Sequence, residues 1–407
     1  MNQPFDRPFS FEIGASDAGS RARLGTLHTP HGDVATPVFM PVGTAGSVKA
    51  VTFEQVEAAG AGIILGNTYH LHLRPGHELV DERGGLQKFL GWKGAMLTDS
   101  AGFQVFSLTD LVKVTEDGVK FRSHLDGSRM FFSPEFSMEI QLGLGADIVM
   151  AFDQCVPADA HPREVARAVD RTQRWLERCV EAVGPGGRRT KDGYERVLFG
   201  IMQGGTIPAE RRRHADMLTQ LDLPGYAIGG LSVGEPKEQL HEMTHVAAEL
   251  LPGDRPRYLM GVGFPDDIVT AVLAGVDMFD CVLPTRMART GSVLTWDGRL
   301  VVKNRDYERD DRPIDESCPC PVCQRHSRAY IRHLFQAREL LGPMLATQHN
   351  LWFYQELMRG IRAAIAEDRM TAFAAEVCDR WNAGEARRLA DIARREPGGR
   401  KRGGGRR

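Results

Sequence analysis

The chain holds 407 residues, 42% of them hydrophobic and 26% charged, with a net charge of −2. That balance excludes a disordered or fibrous chain and a polycation, so any nucleic-acid contact has to rest on local clusters of cations. No window approaches the uncharged apolar run of a membrane span, and residues 1–11 lack a basic region followed by an apolar stretch, so a cytoplasmic protein is expected. The seven cysteines agree with that compartment. Three crowd into one knuckle, and Cys155, Cys179, Cys281 and Cys378 lack the spacing of a disulfide framework.

In chain order, residues 1–36 read as an antiparallel cap, with its pattern over 9–36. From 37 to 290, apolar runs at 37–43, 63–66, 95–99, 147–153, 197–203, 226–230, 258–261 and 276–281 predict strands. Amphipathic stretches at 53–59, 78–90, 134–142, 162–183, 208–221, 236–250 and 265–274 predict helices between them, several opening on proline, which suits a first turn. Strand and helix alternating about eight times predict an α/β fold, a TIM-type (β/α)8 barrel, with an open doubly wound sheet as the alternative. Asp117-Gly118 and Asp126-Gly127 mark a β-hairpin insertion over 105–132. A C-terminal zinc-binding subdomain, 291–395, begins with a short β-like stretch at 291–302 and is helical after the knuckle. Residues 396–407 read as a disordered basic tail, able to add weak, salt-sensitive attraction to RNA.

Barrel enzymes build their sites from the C-terminal ends of the strands. There the sequence places Asp99, Asp153 and Asp280, with Gln203-Gly204-Gly205 and Gly229-Gly230-Leu231 on intervening strands. Any one aspartate could be a helix cap or a salt-bridge partner. Converging at one mouth, they suit acid/base and nucleophilic work at an anomeric carbon. Glycines and Gln203 suit a flat ligand read by backbone groups, as a nucleobase flipped out of RNA would be. Arg286, Arg289, Lys303, Arg305, Arg325, Arg328 and Arg332 are the local cations that could track phosphates.

Cys318-Pro319-Cys320-Pro321-Val322-Cys323 is a C-x-C-x2-C knuckle whose prolines stiffen the loop. With a histidine it supplies the four ligands of a closed, structural zinc site that leaves no position for water. His349 is the expected fourth ligand, with His326 and His333 as alternatives.

At these residues the chain closely resembles bacterial tRNA-guanine transglycosylases. The shared stretches are Gly66-Asn67-Thr68-Tyr69-His70-Leu71, Thr98-Asp99-Ser100-Ala101-Gly102-Phe103-Gln104, Phe152-Asp153-Gln154-Cys155, Gln203-Gly204-Gly205, Gly229-Gly230-Leu231-Ser232-Val233-Gly234-Glu235, Met260-Gly261-Val262-Gly263, Asp280-Cys281-Val282-Leu283-Pro284-Thr285-Arg286 and the knuckle. The resemblance implies a TIM barrel with one structural zinc ion per subunit, acting as a homodimer. It would replace guanine at the wobble position of tRNAs with GUN anticodons by 7-aminomethyl-7-deazaguanine, on the way to queuosine.

Carried over, Asp280 is the nucleophile and Asp99 the general acid/base. Ser100, Ala101, Gly102, Phe103, Asp153, Cys155, Gln203, Gly230, Leu231, Val233, Glu235, Met260 and Gly261 form the base pocket, and Asn67 touches the ribose. Gly261, Val262, Gly263, Asp267, Thr285, Arg286, Met287, Ala288 and Arg289 fall where the family grips the anticodon loop. Cys155 and Val233 accompany pockets that take the aminomethyl base, and the chain ends before the extra C-terminal domain of archaeal relatives.

The chain departs from the family pattern at Ala101 for glycine, Gln154 for glutamate, Phe264 for lysine and His326 for an interface tryptophan, while Trp92, Tyr330 and His333 match interface aromatics. Two rival readings share these residues: a non-catalytic zinc tRNA-binding subunit of the same fold, and a barrel nucleoside hydrolase.

Overall fold

The computed structural model describes residues 9–102, 112–184 and 195–395. Phe103, the start of the expected insertion and the basic tail 396–407 lie outside the described residues. The cap is a three-stranded antiparallel sheet, β1 (Ser10–Ser16), β2 (Arg23–Thr29) and β3 (Gly32–Thr36). It closes the N-terminal end of a barrel. Leu27 and Val34 join the interior cluster, Phe9 meets Phe199 edge-on at 5.8 Å, and Arg23 forms a buried fork with Asp277 at 2.9 and 2.7 Å.

The barrel starts with β4 (Val38–Gly43), β5 (Ile63–Gly66) and β6 (Ala95–Thr98). An excursion follows, built of β7 (Lys113–Val114), β8 (Val119–Arg122) and β9 (Arg129–Phe132), a small antiparallel sheet with one more strand than the expected hairpin. The chain then returns through β10 (Ile148–Met150), β11 (Val197–Met202), β12 (Gly225–Ile228), β13 (Arg257–Leu259) and β14 (Met278–Cys281). Parallel pairing of β14 with β4 closes the ring of eight, which settles the barrel against the open sheet.

Side chains alternate across each strand, which sorts the core into two layers. Val38, Met40, Ile63, Leu65, Leu97, Met150, Phe199, Ile201 and Met278 fill the barrel. Phe39, Ile64, Met96, Val149, Leu198 and Phe279 face the surrounding helices. Each fully buried side chain of this size contributes roughly 1.5–3 kcal/mol of transfer free energy.

Helices Phe53–Ala59 and Pro162–Val183 have the expected bounds. The stretch 78–90 does not form one helix. It breaks into His77–Glu82 and Leu86–Leu90 because Gly84 and Gly85 both adopt φ of +89°, which no helix accommodates. An unexpected helix, Thr68–Leu73, follows β5 directly. Among the described residues no helix is long and apolar enough to cross a membrane.

The C-terminal part carries a hairpin, β15 (Ser292–Thr295) and β16 (Gly298–Val301), then helices Arg328–Gln336, Leu341–Ala366 and Met370–Arg395. Helix Leu341–Ala366 ties this part to the barrel. Tyr354 stacks on Phe39 at 4.2 Å, and the Asn350 amide donates to the carbonyls of Pro284 (3.0 Å) and Ser292 (3.2 Å) while accepting from the Leu294 N–H (2.9 Å).

Candidate active site

Asp280 lies on β14 at the C-terminal mouth. Its Oδ1 accepts from the Tyr258 hydroxyl (2.6 Å) and from the Gly261 N–H (2.8 Å). Among the described residues Oδ2 accepts no hydrogen bond, so one oxygen is held and the other is available. Burial raises the Asp280 pKa, and the two donors oppose that shift. Tyr258 was not singled out from the sequence. It stands on β13, 22 residues from its partner.

The strands end slightly before the expected acids. Asp99 follows β6 by one residue and Asp153 follows β10 by three, so both sit on the loops where a barrel keeps its chemistry. Asp99 accepts from the Asn67 side-chain amide and from the N–H groups of Thr68 (3.0 Å) and Ala101 (3.2 Å). The turn needs Ala101 at φ +71°, a left-handed conformation that glycine adopts without strain.

Asp153 is bracketed by two donors, the Ser100 hydroxyl at 3.2 Å and the Gln203 amide at 2.6 Å. Burial pushes its pKa up to about 6, opposed by those hydrogen bonds and assisted by the nearby Asp99 charge. Gln203 Oε1 is buried without a hydrogen-bond partner. A Cβ on Gly230 (φ +64°) would lie 2.3 Å from that oxygen, and one on Gly102 would lie 2.7 Å from Asp153 Oδ1. Only backbone fits beside these polar atoms. Asp153 and Gln203 thus set a close-packed pair of acceptors at the barrel mouth, which is the candidate base slot.

Glu235 caps the loop above the slot, accepting from the N–H groups of Ser232 and Val233. Burial pushes the Cys155 thiol up to about 12, so it presents a neutral sulfur. Gln154 accepts from Arg171 at 2.5 Å, outside the slot.

Two further residues, also not singled out, hold the slot from beneath. Helix Pro208–Leu218 buries Arg211 and His214 on one face, with Ala215 and Leu218. Arg211 makes no ion pair among the described residues. Its guanidinium donates to the carbonyls of Gly205 (2.9 Å), Met202 (3.2 Å), Gly229 (2.8 Å) and Gly230 (3.4 Å). His214 Nδ1 accepts from the Gln203 N–H at 2.8 Å, and burial lowers its pKa to about 4, keeping it neutral. An arginine in an apolar helical stripe is the signal that could have exposed this arrangement.

Of the residues expected to grip RNA, Gly261, Arg286 and Arg289 are exposed, and neither arginine forms an ion pair among the described residues. Val262, Gly263, Thr285 and Ala288 are buried, and Met287 is half-buried. Asp267 is buried and engaged by Lys237 (3.0 Å) and His241 (2.7 Å). Phe264 packs towards Trp381, 6.2 Å away, under the Arg299 guanidinium. Trp92 is buried, its indole N–H donating to the Ala95 carbonyl, whereas Tyr330 and His333 are exposed.

Cys318, Cys320, Cys323 and His349 converge as a buried group. His349 Nδ1 lies 3.8, 3.5 and 3.4 Å from the three sulfurs. A tetrahedral centre with bonds of ~2.3 Å to sulfur and ~2.0 Å to nitrogen requires edges of about 3.6 Å. The other ring nitrogen, Nε2, donates to the Leu294 carbonyl at 2.8 Å, which fixes the tautomer and leaves Nδ1 for a metal. The donor set and its spacing fit a metal ion. His349, rather than His326 or His333, completes it.

A family model described as queuine tRNA-ribosyltransferase matches residues 17–383. Proteins named queuine tRNA-ribosyltransferase are similar over nearly the whole chain. That of Desulforamulus reducens is 53% identical over 377 residues, covering 93% of this chain and 100% of its own length. That of Symbiobacterium thermophilum is 55% identical over 378 residues, 93% of either chain. That of Novosphingobium aromaticivorans is 56% identical over 369 residues, covering 90% of this chain and 97% of its own. With its barrel, carboxylates and Cys3His group in place, this chain belongs to the queuine tRNA-ribosyltransferase family.

Proposed function

We propose that the protein is a tRNA-guanine transglycosylase that exchanges the wobble guanine of GUN-anticodon tRNAs for 7-aminomethyl-7-deazaguanine in queuosine synthesis. The observation that carries this reading is Asp280, with one oxygen held by Tyr258 and Gly261 and the other free among the described residues. The free oxygen attacks the ribose C1′ as the bond to guanine N9 breaks, while Asp99 delivers a proton to the departing base. The incoming base then displaces Asp280, and Asp99 takes up its N9 proton. Two displacements at one carbon give net retention.

Asp153 and Gln203 accept from the N–H groups of the purine edge, and the Gly230 amide and Leu231 carbonyl meet its polar substituents. The neutral Cys155 thiol and Val233 leave room for the aminomethyl group. Asn67 orients the ribose beside Asp99. Arg286 and Arg289, on the helix that follows Asp280, hold the anticodon loop together with Gly261.

The Cys3His group takes one zinc ion, which acts structurally because four protein ligands occupy its tetrahedral positions. It anchors the start of helix Leu341–Ala366, whose Asn350 braces the Pro284 segment next to Asp280. The protein acts in the cytoplasm as a homodimer, with exposed Tyr330 and His333 at the contact.

Denaturing electrophoresis after mixing with unmodified tRNA and excess guanine tests the reading. A slow-migrating protein–RNA adduct is expected with wild type and absent with Asp280→Asn. Guanine released in excess over the enzyme when no acceptor base is added would instead indicate hydrolysis, and neither adduct nor release would indicate a binding subunit.

A further inference from the structure

The sheet of strands β7, β8 and β9 has two unlike faces. Val119, Phe121 and Phe132 point inwards, where Phe121 and Phe132 meet the Tyr69 ring at 5.7 and 6.4 Å. The Tyr69 hydroxyl pairs with His124 Nδ1 at 2.7 Å. Tyr69 lies two residues after Asn67, which touches Asp99. The sheet is therefore fastened beside the mouth of the site.

Its outer face carries Lys113, Lys120, Arg122, Arg129 and Phe131, all exposed. Register places Lys113 opposite Lys120, and Arg122 opposite Arg129. Like charges directly opposite on neighbouring strands destabilise a sheet. Here two such pairs stand together, and none of the four cations forms an ion pair among the described residues. The acids of this segment are in its turns. Glu116 is held by Arg174 at 2.5 Å, Asp126 accepts from Ser128 at 2.8 Å, and Asp117 sits at the first turn tip. Phe131, 41% exposed, lies opposite Lys120, whose ammonium is 5.8 Å from the ring. Among the described residues the Arg122 guanidinium reaches only the Gly127 carbonyl, at 3.2 Å.

We propose that this face is a second RNA-binding surface. Its four cations take the sugar–phosphate backbone of the tRNA bearing the exchanged base, and Phe131 offers a stacking face. Unopposed cations beside an exposed aromatic are what a nucleic-acid backbone requires, and an anionic partner relieves the repulsion across the strands. The inference rests on the transglycosylase reading for the identity of its RNA.

The test compares wild type with a quadruple variant, Lys113→Gln, Lys120→Gln, Arg122→Gln and Arg129→Gln, and with the single reversal Lys120→Glu. Binding of unmodified tRNA is measured by fluorescence anisotropy across a salt series with no free base present. The quadruple variant should bind about tenfold or more weakly, and its log Kd against log salt slope should flatten by up to about 3.6, at ~0.7–0.9 per lost phosphate contact. Its Tm should be equal or higher, since the repulsion is gone. KM for guanine and kcat at saturating tRNA should be unchanged. An unaltered Kd and salt slope in the quadruple variant, with Tm retained, would overturn the proposal, as would tight tRNA binding by Lys120→Glu. Wild type that binds RNA through these cations yet exchanges no guanine would overturn the enzymatic reading alone.

Discussion

Replacing Asp153 by asparagine isolates the energetic cost of the base slot. Asp153 is buried, and its carboxyl ionises near 6 instead of 3.8. The sign follows from which form the fold disfavours. A raised carboxylate pKa means that the unfolded chain ionises first, so stability is lost as pH climbs from about 4 to about 6 and stays lost above that. The full penalty is (6 − 3.8) × 1.36, about 3 kcal/mol, of which about 1.4 kcal/mol develops between pH 5 and pH 7.5.

Asparagine cannot ionise, and Gln203 can turn its unpartnered Oε1 towards the new amide, so the variant escapes the penalty. Urea denaturation of both proteins at pH 5 and pH 7.5 measures it. The advantage of Asp153→Asn should grow by about 1.4 kcal/mol between the two. The same substitution should weaken guanine binding strongly, since an acceptor facing the purine N–H groups becomes a donor. A stability difference that does not change with pH would refute the assignment of a desolvated carboxylate to this slot.

Three further outcomes follow from the same geometry. Tyr258→Phe removes a hydrogen bond to the Asp280 carboxylate, worth about 1.5–3 kcal/mol for a charged acceptor, so kcat/KM should fall about 10- to 100-fold. Because that donor lowers the Asp280 pKa, the acidic limb of the pH–rate profile should move to higher pH; an unmoved limb would contradict the assigned role. Arg211→Ala strands four loop carbonyls, so KM for guanine should rise at least about tenfold while bound metal is unchanged, with Arg211→Lys intermediate because an ammonium lacks the fork. Wild type should carry one zinc per chain by elemental analysis, and Cys320→Ser should lose it together with thermal stability; equal metal content in both would count against the Cys3His site.

The parts of this fold that were legible in the sequence are those whose signal is local. The strand 63–66 is a short apolar run between turn residues, and the helix 162–183 opens on proline and keeps its apolar period throughout. Asp99, Asp153 and Asp280 each close an apolar run, and the cysteines lie within six residues. His349 needed the fold, because three histidines follow the knuckle and only packing of helix Leu341–Ala366 under Leu294 brings one nitrogen to the sulfurs.

Tyr258, Arg211 and His214 carry no motif. Tyr258 meets Asp280 across neighbouring strands, and the other two act on backbone carbonyls and an amide, which have no letter in the sequence. The break at Gly84-Gly85 was masked by an apolar period that continues through both short helices. Asp267 is one of the positions expected to grip RNA, yet Lys237 and His241 from the preceding helix draw it inwards.

The central claim is base exchange through Asp280. Incubation with radiolabelled guanine and an unmodified tRNA bearing a GUN anticodon, beside Asp280→Asn, tests it most directly. Label entering the tRNA with wild type alone is the expected result, and no incorporation by folded, zinc-loaded wild-type protein would contradict the account.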